Sequence, residues 1–240
     1  MWFDSPYYPL LYAHRSEAEA RQAVQTLVRH LHLEPGARIL DVGCGRGRHL
    51  WPLLEQGYDV SGIDLAAHRI NEAQTIASER GLSPKLYVGS MLDRLPNAPY
   101  DAVVNWFTSF GFFDDRETHR QAISHMAAAL RPGGVLVVDF LNSPEVRANL
   151  VAEDVQELQG ITFRQRRWLD QDFVHKTIEV TDGDRVEAFS ERVMLLEQTD
   201  FGAFFAAAGL TKLSFLGDYD GSPWSPTSPR CIAVGRTLAP

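Results

Sequence analysis

A chain of 240 residues, 45% apolar and 22% charged, holds enough hydrophobic material for one sizeable core. Its net charge of −8, with no long basic stripe, argues against a grip on nucleic-acid phosphate, and no apolar run approaches the roughly 18 residues of a membrane span. Cys44 and Cys231 form no Cys-x-x-Cys pattern and no two histidines share a helix face, so neither a disulfide framework nor a metal site is indicated. The opening Met-Trp-Phe-Asp lacks a basic and then apolar leader pattern, and the expectation is a cytoplasmic protein.

Residues 1–15 are aromatic and punctuated by proline: Trp2, Phe3, Tyr7, Tyr8 and Tyr12, with Pro6 and Pro9. Ser16 followed by Glu19 reads as a capping box, and Val24, Leu27, Val28 and Leu31 recur at helical spacing until Pro35-Gly36. Strand and helix signals then alternate: strands at 38–42, 59–63, 85–89, 101–106 and 135–140, with helices at 47–56, 66–80 and 116–130 between them. Asp114 and Asp115 read as caps of the third of these helices, and His119 and His125 within it as packing or surface residues.

The pattern changes after residue 142. Residues 161–196 alternate polar and apolar, with turns at 170–172 and at Asp182-Gly183, the dipeptide of tight hairpins. Thr199 reads as the cap of a last helix closed by Gly209, and strands at 212–216 and 231–236 flank a polar loop. The expected architecture is α/β: a Rossmann-like, seven-stranded, mostly parallel sheet with helices on both faces and a small antiparallel β insertion. Within one domain, 1–240, the units are an N-terminal segment and helix (1–33), the segment reading as a lid or as a staple on that helix, a cofactor-binding core (34–142), an antiparallel insertion (155–197) serving as cap or dimer contact, and the closing helix and strands (198–240).

The chemistry concentrates where the first strand ends. Ile39, Leu40 and Val42 surround Asp41, and Gly43, Gly45 and Gly47 alternate before a helix. Glycines there admit positive φ and let a ligand lie against bare backbone facing a helix N-terminus. A dinucleotide fingerprint would read G-x-G-x-x-G, whereas this spacing is tighter and carries an acid ahead of it. Asp64 ends the second strand, placed to accept hydrogen bonds from ribose hydroxyls.

This constellation resembles the class I S-adenosylmethionine-dependent methyltransferases, whose first motif is matched by Asp41, Gly43, Gly45 and Gly47. The resemblance runs over roughly residues 30–142 and implies S-adenosyl-L-methionine as cofactor. It implies that Asp64 meets the ribose, with Leu65 beside it and Cys44 of the glycine loop also among the cofactor-binding residues; the Cys44 thiol itself reads as chemically inert. Val88-Gly89-Ser90-Met91-Leu92 resembles the adenine-side motif, with Ser90 standing where the family often has an acid. The stretch 100–105, ending in Asn105 and followed by Trp106, resembles the fourth motif beside the transferable methyl; Leu130-Arg131-Pro132-Gly133-Gly134 matches the turn before the fifth strand.

The implied reaction is in-line methyl transfer to N or O of a small-molecule acceptor, with neither a metal nor a nucleophilic side chain required. Phe107 and Ser109, in the glycine-punctuated loop after the fourth strand, are candidate substrate contacts. So are Tyr8 and Tyr12 in the aromatic N-terminal segment, with His14 and Arg15 beside them, and Tyr219 in the loop before the last strand. His49 reads as packing, and no catalytic base is assigned. The expected partners are a small-molecule substrate and at most a second copy of the chain, as monomer or homodimer, with no nucleic acid and no membrane. Two rivals stand beside this reading: a cofactor-binding sensor or scaffold without turnover, and a nicotinamide-dependent oxidoreductase.

Overall fold

The computed structural model describes residues 2–13 and 17–239; His14, Arg15 and the Ser16 cap lie outside them. After a 3-10 turn at Trp2–Asp4 come α1 (Tyr8–Leu11), α2 (Glu17–Leu31), β1 (Arg38–Val42), α3 (Leu50–Glu55), β2 (Asp59–Asp64), α4 (Ala67–Glu79) and β3 (Lys85–Val88). Then follow β4 (Tyr100–Asn105), α5 (Arg116–Ala128), β5 (Leu130–Leu141) and α6 (Ser143–Asn149). The second sheet comprises β6 (Glu153–Leu158), β7 (Ile161–Leu169), β8 (Phe173–Asp182) and β9 (Arg185–Met194). The chain closes with α7 (Gln198–Ala207), β10 (Thr211–Leu216) and β11 (Arg230–Arg236).

The main sheet has the order β10-β11-β5-β4-β1-β2-β3, and β11 alone runs against its neighbours. β1 pairs with β2 on one side and β4 on the other, so the chain order reverses between them. Such a reversal leaves a crevice beyond the carboxyl ends of the strands, where ligands of open α/β sheets bind. Both faces are covered because alternate strand residues carry apolar side chains to opposite sides. Val103, Leu136 and Val138 pack with Phe201 and Phe205 of α7, whereas Val104, Val135 and Val137 share a cluster with Val24 and Leu27 of α2. Full burial of each such side chain contributes roughly 1.5–3 kcal/mol.

Local chemistry moves several expected boundaries. The helix expected from residue 47 begins at Leu50, because the chain is still turning at Gly47, φ +89°. Pro132-Gly133-Gly134 lies inside a longer β5 as a local irregularity: Tyr100 pairs with Leu130, but Ala102 pairs with Val135. Asp115 caps α5 as expected, accepting from the Thr118 amide at 2.7 Å. The last helix is capped by Glu197 rather than Thr199, because Glu197 and Asp200 satisfy each other's backbone amides in a capping box. Neither α6 nor β6 was expected from the pattern.

β6-β7-β8-β9 form an antiparallel sheet, with Gly183 supplying positive φ at the β8–β9 turn. The sheet is fastened to the core at Gly111, whose carbonyl accepts from the Met194 amide at 2.8 Å. A side chain at Gly111 would collide with Phe140 and Val193, so glycine is required for that approach. The N-terminal segment bridges the two sheets. Trp2 packs on Phe189 at 5.0 Å, the Tyr7 hydroxyl donates to Asp182 at 3.1 Å, and Arg69 of α4 donates to the Phe3 carbonyl. Among the described residues no helix is long and apolar enough to cross a membrane.

His119 is fully buried between Phe110 and Phe113, both 5.0 Å away. Its Nδ1 donates to the Asp115 carbonyl at 2.7 Å, while Nε2 has no partner. Burial lowers its pKa from 6.5, so the folded chain resists a proton that the unfolded chain accepts. Stability present above pH 6.5 is therefore lost as pH falls. Urea titrations from about pH 7.5 to about 5.5 should show a fall of up to roughly 1.4 kcal/mol per pH unit from this group. His119→Leu should reduce that slope.

Candidate active site

The loop after β1 is held by its neighbours as well as by its own Gly47 amide, which donates to the Cys44 carbonyl at 2.9 Å. Gly43 and Cys44 both donate their amides to the Ile63 carbonyl, at 2.8 and 3.1 Å. The Gly45 amide donates to Asp64 Oδ2 at 2.8 Å, and Asp64 Oδ1 accepts from the Ala66 amide at 2.9 Å. One carboxylate thus ties the glycine loop to the β2–α4 turn. A Cβ at Gly45 would meet nothing within 4 Å, so its backbone is bare, whereas one at Gly47 would strike the Trp51 ring. Asn105 Nδ2 donates to the Val42 carbonyl at 2.7 Å, fastening β4 to the start of the same loop.

This edge opens into a cavity of about 1460 Å³. Its wall includes Gly43, Cys44, Gly45, Asp64 and Leu65 from the first two turns, and Ser90 and Met91 after β3. Trp106, Phe107 and Ser109 come from the loop after β4, and Tyr8 and Tyr12 close the wall from the N-terminus. Leu65 is 68% exposed, an apolar side chain left standing at the mouth. Ser90 Oγ accepts from the Leu92 amide at 3.1 Å, and the Asp93 carboxylate accepts from the Ser90 amide at 3.2 Å.

Five residues singled out in the sequence lie outside the wall. Gly47 packs beneath Trp51, and Leu92 packs against the core cluster. Asp41 and Asn105 are both buried, and neither Asp41 oxygen nor Asn105 Oδ1 has a hydrogen-bond partner. Burial, reinforced by the Asp64 charge and opposed by Arg48, raises the Asp41 pKa well above 3.8. The same burial and the two acids raise the Cys44 thiol, which stays protonated and unreactive.

Tyr219, the fifth, faces another way. Its hydroxyl donates to Asp139 Oδ2 at 2.6 Å, and burial with that neighbouring charge raises its pKa. Asp139 is fully buried and binds three further groups. It accepts from the Phe107 amide at 2.7 Å and from Arg230 Nε at 2.8 Å, and its carbonyl accepts from the Thr108 amide at 2.9 Å. Phe107 and Thr108 stand at φ +54° and +60°, a conformation that costs energy outside glycine. The Asp139 hydrogen bonds hold them there. Burial opposes the charge of Arg230, but Asp139, together with Tyr219 and Glu19, offsets it and the guanidinium pKa is raised.

Arg230 lines the cavity, as do Arg48 and His49. The two guanidinium carbons lie 5.1 and 4.8 Å from the Phe107 ring centroid. His49 stacks on Trp106 at 4.8 Å and 13°, and burial, aided by Arg48 and Arg230, lowers its pKa well below 6.5. It is therefore neutral near pH 7. Sequence reasoning passed over Asp139 and Arg230; the available signals were an acid within the apolar run Val135–Phe140 and an arginine opening the last strand.

Removing one partner of a buried, hydrogen-bonded ion pair leaves an uncompensated charge. Arg230→Ala should cost about 3–5 kcal/mol in urea unfolding, and Arg230→Lys should recover part of this, since lysine keeps the charge but not the planar fork.

Comparison with known proteins places this geometry among relatives. The family described as a methyltransferase domain matches residues 39–134. The dTDP-3-amino-3,4,6-trideoxy-alpha-D-glucopyranose N,N-dimethyltransferase of Streptomyces venezuelae is 30% identical, with 85% of this chain and 88% of that protein aligned. The sugar N-methyltransferase KedS8 from Streptoalloteichus superposes with a TM-score of 0.72 at 28% identity, over 96% of this chain and 92% of that one. An S-adenosylmethionine-dependent methyltransferase from Clostridium acetobutylicum superposes at 0.83 over 97% and 96%, and at 16% identity shares the fold.

Proposed function

Since the chain belongs to the class I S-adenosylmethionine-dependent methyltransferases, we propose that its cavity holds that cofactor along the glycine loop, with Asp64 in the wall and Asp41 buried behind it, and methylates an amine nitrogen of a small molecule. The observation that carries this reading is the buried, partnerless carboxylate of Asp41 behind the bare glycine backbone. A buried carboxylate without a partner is costly, and a cationic ammonium arriving beside it removes the cost. Asp64 already accepts two amides and keeps lone pairs for a pair of ribose hydroxyls. Leu65 and Met91 offer apolar surface to a base. The donor set fits an adenosyl amino acid.

When bound, the cofactor supplies a methyl group on a sulfonium, which the acceptor's lone pair displaces in line. The protein's part is to position and exclude water, with alignment contributing up to about 7–11 kcal/mol. Trp106, Phe107 and Ser109 would set the acceptor's approach from the loop after β4, and Tyr8 and Tyr12 would roof it. An amine acceptor is favoured because relatives aligned along nearly the whole chain are named as N-methyltransferases. A hydroxyl acceptor needs a base to take its proton, and neutral His49 in the wall keeps that second reading open. The chain's negative charge supports a small molecule over nucleic acid.

Calorimetric titration with S-adenosylhomocysteine should give one saturable site. Asp64→Ala should weaken it at least tenfold, about 1.4 kcal/mol, with the far-ultraviolet spectrum unchanged. Unchanged affinity would remove Asp64 from the site. Affinity should also depend on pH with a definite sign. Because the Asp41 pKa is raised in the empty protein, ionisation against an ammonium releases a proton. Binding should therefore tighten as pH rises from the acid range toward neutrality, by at most about tenfold per unit, and Asp41→Asn should flatten the dependence.

A further inference from the structure

We propose that the acceptor is an apolar amine carrying an aromatic ring and no phosphate. This rests on the methyltransferase reading of the cavity and names the substrate class of the same site. Two independent observations carry it, one from charge and one from shape.

The first is where the cavity's cations are engaged. Arg46 pairs with Glu72 at 2.9 Å, Arg48 with Glu19 at 2.8 Å, and Arg80 with Glu17. Arg69 sits 3.5 Å from Glu72 and also donates to the Phe3 carbonyl. Arg192 pairs with Asp114 at 2.6 Å, and Arg230 with fully buried Asp139 at 2.8 Å. Every arginine of the wall among the described residues is thus committed to a carboxylate, and no lysine lines it. The wall itself holds these six arginines against five acids (Asp4, Glu17, Asp64, Glu79 and Glu191), and counting the partners Glu19, Glu72, Asp114, Asp139 and Lys176 makes it net negative among the described residues. A diphosphate would enter against that charge, whereas an amine enters with it as the ammonium and must release its proton to solvent before its lone pair can attack.

The second observation is the other surface of the wall. Phe3 packs edge-on to Phe112 at 5.2 Å and 89°, joining the N-terminal segment to the loop after β4. Phe112 keeps 38% of its surface exposed, and Phe113 and Val193 continue the same apolar wall. Tyr8 and Tyr12 complete it, 4.7 Å apart and tilted by 57°. Their ring faces already attract cations: the Arg69 guanidinium carbon is 5.2 Å from one centroid and Lys176 Nζ 5.0 Å from the other. An apolar wall of rings in a concave site loses unfavourable hydration when a flat apolar group covers it. An amine attached to such a group matches both features.

The test uses the full chain and two probes, 3-phenylpropylamine and thymidine diphosphate. Binding of S-adenosylhomocysteine is measured first, and its failure would count against the cofactor reading alone. Each probe is then titrated into protein saturated with S-adenosylhomocysteine. The amine should bind saturably, Phe112→Ala should weaken it at least fivefold, and thymidine diphosphate should give no saturable signal at the concentrations that saturate with the amine. Saturation by thymidine diphosphate at or below those concentrations would overturn the proposal. So would absence of saturable amine binding, or an amine affinity indifferent to Phe112→Ala.

Discussion

The carboxylate of Asp64 accepts one hydrogen bond from Gly45 and one from Ala66, and the geometry of the whole carboxyl edge depends on it. The parallel register of β1 and β2 sets Val42 beside Ile63, so the two strands end level. Two amides of the first turn then fall on the Ile63 carbonyl, and a third falls on the Asp64 side chain. The glycine loop is therefore shaped by the neighbouring strand. Its backbone at Gly45 is left bare because its polar contacts are made sideways. Binding to a loop already fixed in this way involves little further loss of conformational freedom.

Charge within this edge is arranged in opposite ways at its two ends. Asp41 is buried without a hydrogen-bond partner, a cost in the empty protein that a cation would relieve. Asp139, equally buried, is fully engaged by Tyr219, Arg230 and the Phe107 amide. The first carboxylate is left without a hydrogen-bond partner in the protein, and the second is a strut. That strut holds Phe107 and Thr108 in left-handed conformations, so the loop after β4 is fixed before anything binds. The antiparallel sheet and residues 2–13 form the remaining wall, joined to the core through Gly111 and Arg69.

The sheet, its helices and the glycine loop were legible because each follows from local periodicity. β4 and β5 each carry a short apolar run, at 102–104 and 135–138, and the alternation of strand and helix forces parallel pairing. Asp41 and Asp64 stand out in the sequence because each is an acid near the end of such a run; the structure sets Asp64 in the cavity wall and Asp41 buried behind it. Tyr219 could not be placed, since its partner Asp139 is 80 residues away. The capping of α7 turned on whether Thr199 or Glu197 had a reciprocal partner, and both Thr199 and Glu197 fit the local composition. The burial of Arg230 could not be read locally, because its carboxylate partner Asp139 lies on β5, 91 residues away in the chain. Long-range pairing of polar groups is the layer that periodicity does not encode.

A crystal structure of the protein with S-adenosylhomocysteine tests the central claim most directly. The ribose hydroxyls should lie within hydrogen-bond distance of Asp64, the amino group against Asp41, and the sulfur should face the cavity behind Phe107 and Ser109. A ligand seated elsewhere, or one whose ribose and amino group leave both carboxylates untouched, would contradict the account.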